Sequence, residues 1–231
     1  MKTKQFISFA GAVLLGFSSL SAQAVIIDLA EWAVNIDGVV SDPTLGDPIP
    51  AEVDVSLFDD ITGLGSISIT ITGAGAHSFD AFFDHEFDEA TNTFFNESGA
   101  VNGTLAAGQS WEIDEPGFVF GDIFTNFENS TLDNSNAVPA GLEDDVSMAL
   151  GWDFVLGVGE TATIDLLLSD TLTGGGFFLS QTDADSQASI FFSGSLSIAG
   201  GPVGVPEPSI LLLMGIGLAG ILVRRRRVHQ A

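Results

Sequence analysis

Ser66–Thr72 reads SISITIT, with Ile67, Ile69 and Ile71 alternating with Ser and Thr. Successive side chains of an extended chain point to opposite faces, so this spacing sets three isoleucines on one side and hydroxyls on the other. A helix, turning about 100° per residue, would scatter the same isoleucines around its axis. β-branched residues also suit a pleated, half-buried surface. Val53–Phe58 (VDVSLF) alternates in the same way. Further strands are expected at Ser78–Phe83, Gly117–Phe124, Val146–Val155, Thr161–Leu168, Gly176–Gln181 and Ser189–Ile198. Gly157–Glu160 suggests a hairpin connection, and Gly174–Gly176 and Asp183–Gln187 punctuate the later strands. Asn126–Asp145, rich in Asn, Ser and acids, reads as a long loop. Eight or so strands without a long helical period predict an all-β fold, an antiparallel β-sandwich over residues 25–199.

Charge is distributed unevenly. The 231-residue chain carries a net −25, and its six basic residues are Lys2, Lys4 and Arg224–Arg227. Thirty of the 31 acids, all but Glu207, fall in the base-free stretch 25–205. Affinity for nucleic acid rests on Lys and Arg neutralising phosphates, so nucleic acid is excluded as a partner of this stretch. The acidity does not imply disorder, since nineteen Phe, three Trp and a mean hydropathy of +0.38 supply a core. The absence of Cys removes disulfides, thiolate metal sites and thiol nucleophiles.

The two ends read as transport signals. Residues 1–24 combine Lys2 and Lys4, an apolar run from Phe6 to Leu20, and small residues at Ala22 and Ala24. This is the pattern of a signal peptide cut by signal peptidase after Ala24; the alternative is a permanent N-terminal anchor. At the other end, Ile210–Val223 forms an apolar run. As a helix it would measure about 21 Å at ~1.5 Å per residue, short of the ~30 Å hydrocarbon core. Arg224, Arg225, Arg226 and Arg227 behind it can hold the cytoplasmic side, their long stems reaching the interface. The run is therefore expected to be a transmembrane helix, 210–223, that stops transfer through the inner membrane.

Val205–Ser209 (VPEPS), the apolar run and the arginine cluster, in that order, resemble the PEP-CTERM sorting signal. The resemblance covers about 25 residues, 205–231 forming the sorting segment and 200–204 a linker. It implies a Gram-negative host that exports polysaccharide, and recognition of Pro206, Glu207 and Pro208 by the membrane protease exosortase. The arginines would orient a transient anchor, and the product would reach the cell surface or an extracellular polysaccharide matrix. Pro206 and Pro208 deny this segment regular hydrogen-bonded structure and leave extended backbone open to an enzyme. GQSWEIDEPGFVFGDI and DDVSMALGWDF, within residues 81–198, resemble stretches of domains carried by other PEP-CTERM proteins, which brings no activity with it.

Within the acidic domain, Asp84, Glu86 and Asp88 would share one face of an extended chain and could hold Ca²⁺, which takes six to eight oxygens. The alternative is a solvated acidic loop, and the spacing lacks the EF-hand glycine and terminal Glu. Glu143–Asp145 and the Asp183/Asp185 pair are comparable candidates. Screening by divalent ions or concentrated salt is expected to stabilise so acidic a domain, so chelation should lower its melting temperature. His77 and His85 are too few for a zinc site without carboxylates. No Gly-x-Ser-x-Gly element is present, and no catalytic residue is assigned. Trp111 is the candidate for stacking on a sugar, whereas Trp152, within MALGWDFVLG, reads as core. Asn96, Asn102 and Asn129 open glycosylation sequons, a match common by chance in such loops. The expected function is non-enzymatic, structural or interaction-based. The alternatives are a calcium-assisted carbohydrate-binding module and a secreted glycoside-active enzyme, whose paired carboxylates chance alone would supply here.

Overall fold

A computed structural model describes residues 25–88, 92–117, 119–201, 214 and 216. The elements in chain order are β1 (Ile27–Ile36), β2 (Val39–Ser41), β3 (Val53–Asp59), β4 (Leu64–Thr72), β5 (Gly75–Phe87), β6 (Glu97–Asn102), β7 (Gln109–Asp114), α1 (Ile123–Glu128), β8 (Ser147–Leu156), β9 (Glu160–Ser169), β10 (Phe178–Asp183) and β11 (Ser189–Gly200). They form two antiparallel sheets, β2-β1-β5-β8-β7 and β3-β4-β9-β11-β10-β6. Inward side chains of both sheets make one core, the expected sandwich.

Ile67, Ile69 and Ile71 are buried, as their period predicts, opposite Leu166, Ile164 and Ala162 of β9. From the other sheet Trp32, Phe79, Phe83 and Trp152 meet them in the core. Apolar burial of this kind contributes on the order of 25 cal/mol per Å².

Seven of the eight expected strands are found. Gly117–Phe124 is the exception: its residues make a turn leading into α1. Gly117 and Gly121 adopt left-handed φ of 93° and 77°. A Cβ on Gly121 would fall 2.3 Å from the Glu115 carbonyl oxygen. Strand geometry is closed to both positions. β1, β2, β6 and β7 were not anticipated from the pattern.

α1 lies on the outer face of the first sheet as a third layer. Ile123, Phe127 and Leu132 pack on Phe82, Ala33 and Ala149. The side-chain amide of Asn35 on β1 donates to the carbonyls of Phe127 and Glu128, both at 2.9 Å, and so satisfies carbonyls at the helix C-terminus. The expected loop 126–145 does more than connect. Its residues 134–145 join edge strand β7 to edge strand β6: Ile113 N–H donates to Ser135, Gly99 N–H to Val138, and Glu97 and Asp144 exchange backbone hydrogen bonds. Two open sheet edges are covered at once. Gly99 permits the approach, since a Cβ there would lie 2.3 Å from Ile113 Cγ2.

The two ends of the domain lie at opposite ends of the sandwich. Ile27 pairs with Phe87 at the close of β5, whereas Gly200 pairs with Glu160, next to the turn that opens β5. No helix among the described residues is long and apolar enough to cross a membrane. Residues 1–24, the Pro206–Pro208 element, Arg224–Arg227 and, apart from Met214 and Ile216, the run 210–223 lie outside the described residues.

Candidate functional site

Strand register places acids in rows across the outer face of the first sheet. Glu31 pairs with Asp84, Asp84 with Ser147, and Ser147 with Asp114; the next rows hold Glu112 and Asp80. These five acids are buried; Asp80, Glu112 and Asp114 meet Ser130, Asn126 and Asp122 of the α1 region, whereas Glu31 lies against Asp42. Burial disfavours the charged form. It raises Asp80 to about 7 against the Ser130 hydroxyl, with Asp153 adding to the rise. It raises Glu112 to about 7 against donation from Asn126 and the Asp133 N–H. Glu31 is likewise pushed to about 7, by burial and by Asp42. Glu97 of β6 rises to about 9, through burial and then the charges of Glu86, Asp145 and Asp84, although the Gln181 side-chain amide donates to it. Burial is the largest cause in each case, and the described residues include no Lys or Arg to offset it.

The structure separates the expected calcium residues. Asp84 and Glu86 lie on the outer face of β5, in a strand and not in a solvated loop. Asp84 is buried and accepts from the Ser147 hydroxyl at 3.0 Å. Burial and the charges of Asp145 and Glu86 push it well above the carboxylate range. Asp88 follows the strand and accepts from the Ile26 N–H at 2.9 Å. It lines a polar hollow of about 210 Å³ with Asn92, Asp183, Asp185 and Ser186, which joins two candidates that the sequence kept apart. A different set, Glu112, Asp114 and Asp122, brings oxygens within 4.8 Å of one another. Its acceptors are already engaged: Asn126 Nδ2 donates to both Glu112 oxygens at 2.9 and 3.1 Å, and the Asp122 N–H donates to Asp114 at 2.8 Å.

Trp111 lies in the core, 8% exposed, beside Phe177 at 6.3 Å between ring centroids, and offers no open ring face for stacking. Trp152 is core, as read. His77 and His85 stand eight residues apart on one strand, roughly 26 Å at ~3.3 Å per residue, and cannot share a metal. His77 Nδ1 meets Asp37 Oδ2 at 2.8 Å. His85, depressed by burial to about 4, is neutral and donates from Nε2 to the Gly63 carbonyl at 3.2 Å.

A cleft of about 580 Å³ had no counterpart among the sequence candidates except Glu143–Asp145. Its lining includes the acids Glu115, Glu143, Asp144 and Asp145 and the apolar residues Phe94, Phe95, Val119 and Phe120. Burial, then Asp144 and Glu115, raise Asp145 to about 6. Glu115 is raised by burial and by Asp144 and Asp114. Asp145 Oδ1 is buried without a hydrogen-bond partner among the described residues. The cleft lies at the end of the sandwich formed by Phe87, Asp114 and Asp183, opposite Gly200.

At Gly200 the chain leaves β11 with φ of 97°, where a Cβ would lie 2.5 Å from the Gly159 carbonyl oxygen. A few residues later, residues 204–227 match the family model of the PEP-CTERM protein-sorting motif. The chain carries a PEP-CTERM sorting motif. The match spans Pro206, Glu207, Pro208 and Arg224–Arg227, and makes the protein an exosortase substrate, exported to the surface or the extracellular space. No curated protein and no solved structure matches the chain. The four arginines fall within the matched motif, and the acidic sandwich lies outside it.

Proposed function

We propose that the acidic sandwich is a non-enzymatic component of the cell surface or polysaccharide matrix, acting by interaction once exosortase has separated it from its tail. The observation that carries this reading is the base-free run of thirty acids, fused to a sorting motif. Such a polyanion stays soluble and separate from its like-charged copies, and attracts cations and cationic partners. The most perturbed acids support a structural assignment. Asp84, Glu97 and Glu112 are buried and tied to Ser147, Gln181 and Asn126, whereas a glycosidase acid has to face its substrate.

In this reading signal peptidase acts at Ala22–Ala24, Ile210–Val223 holds the precursor in the inner membrane with the arginines on the cytoplasmic side, and exosortase acts near Pro206–Pro208. The intact mass of protein recovered from outside the cell tests both processing points. A product running from Val25 to near Val205 is expected, and a product retaining Arg224–Arg227 would refute the scheme. Glu207→Ala should leave precursor in the membrane. Glycan-array binding would favour a carbohydrate-binding module. Polysaccharide turnover abolished by Asp145→Asn would favour an enzyme.

A further inference from the structure

The cleft lined by Phe94, Phe95, Val119 and Phe120 and by Glu115, Glu143, Asp144 and Asp145 combines two features that are costly on a monomeric surface. Four large apolar side chains stand in water, Val119 at 79% and Phe120 at 67% exposed. Contiguous apolar exposure marks contact sites more often than it is idle. Four acids line the same cleft, and no Lys or Arg lines it among the described residues or occurs anywhere in residues 25–201. The domain's own side chains supply no cation here.

A bare metal ion fits only half of this arrangement, since the phenylalanine wall supplies no side-chain oxygens. An organic cation fits both halves. Its charged head meets the carboxylates while its stem lies on the rings, where a cation also gains from the ring quadrupole. The rings of Phe94 and Phe95 stand nearly perpendicular, at 85° with centroids 5.2 Å apart. They form a corner that receives a flexible aliphatic stem or a side chain, not a flat platform for a sugar ring. Phenylalanine also brings no O–H or N–H for sugar hydroxyls.

We infer that this cleft is a docking site for a segment of another protein that presents Lys or Arg beside an aromatic or aliphatic residue. At about 580 Å³ it falls within the ~300–1,000 Å³ range of ligand clefts, enough for two or three side chains. It opens at the end of the sandwich away from Gly200, where the chain departs for its sorting tail, so the tail's exit does not obstruct it. The inference rests on the interaction role proposed above and names its partner class.

The test uses the processed protein and the peptide acetyl-FKLRF-amide, with acetyl-FELEF-amide as the charge-reversed control, by calorimetric titration at low and physiological ionic strength. Saturable binding of the basic peptide alone is expected. Phe95→Ala and the double variant Glu115→Gln/Asp144→Asn should each weaken it roughly tenfold or more. These side chains line an open cleft, so circular dichroism should show the fold unchanged. Binding that ignores Phe95→Ala and Phe120→Ala would mean diffuse attraction to a polyanion, and would overturn the site. A partially deacetylated chitosan oligomer that binds here where the peptide does not would overturn the partner class. Silence from both ligands would overturn the inference and leave the sorting and surface role standing.

Discussion

The two faces of β5 differ more than their position in one strand suggests. Phe79, Ala81, Phe83 and Phe87 point into the sandwich among hydrocarbon, while Asp80, Phe82, Asp84 and Glu86 point outward under α1 and its trailing segment. Much of the outer side is nearly as dry as the inner one, yet it is populated with acids. The inner side gains from burial, whereas the outer side has to make burial tolerable. In a domain without Lys or Arg the means are protons and neutral donors, which is why Asp80, Glu112 and Glu97 titrate near or above neutrality. A dry layer can thus be built from carboxyls provided they are not charged.

The comparison breaks most visibly by cavity. Ile69→Ala on the inner side should cost about 2–5 kcal/mol at any pH, the range for emptying a packed site. Denaturant unfolding at pH 5 and pH 8 measures it, and a pH-dependent cost would show that the two layers are not distinct. Next in size is the pH dependence of the whole domain. A carboxyl whose pKa is raised on folding binds its proton more tightly in the folded state. Its contribution is therefore complete below the unfolded value near 4.5 and is lost as pH rises through the folded one. Stability should fall as pH climbs toward about 7, where Glu31, Asp80 and Glu112 titrate, and again toward about 9 with Glu97. Scanning calorimetry at constant ionic strength should find a lower melting temperature at pH 8 than at pH 5; a flat or rising trend would contradict charge-free burial.

The same contrast explains what could be read from the chain. β4 was legible because its outer side is wet: Ile67, Ile69 and Ile71 alternate with residues that remain partly or fully exposed. β1 and β7 were not, because Trp111, Glu112, Ile113 and Asp114 are all buried and an acid in sequence looks like a surface residue. The cover that buries them comes from residues 123–145, and no local pattern announces a lid. Gly117–Phe124 misled in the opposite direction, its aromatics favouring a strand until two left-handed glycines turned the chain. The cleft was half visible, as Glu143–Asp145. Its apolar wall draws on residues 94–95 and 119–120, distant in sequence and joined only by the fold.

A smaller effect sharpens the role of the third layer. Asn35→Ala removes the donor that α1 uses to satisfy the carbonyls of Phe127 and Glu128. The cost should be about 1–3 kcal/mol, the penalty for polar groups left without partners. Amide exchange should quicken in α1 and the segment after it, while the β4–β9 ladder stays protected. Uniform loosening would mean that the outer layer is not a separate unit.

The smallest chemical change is the most discriminating. Glu97 sits 1% exposed, titrates near 9 and so carries its proton at pH 7. Glu97→Gln replaces a neutral acid with a neutral amide of the same shape, and an oxygen remains to accept from Gln181. The melting temperature should barely move near pH 4.5 and below, where both states of the native protein hold the proton. Between pH 4.5 and about 9 the native unfolded state is ionised while the folded state keeps its proton, whereas the amide does not titrate. The variant should therefore lose less stability across that interval and be the more stable protein at pH 7 and above. Glu97→Ala supplies the control: it removes the same proton uptake but leaves a void and an unpaired Gln181, and should be less stable than Glu97→Gln at every pH. A glutamine variant that follows the native curve from pH 5 to pH 9 would show that Glu97 is not where the proton resides.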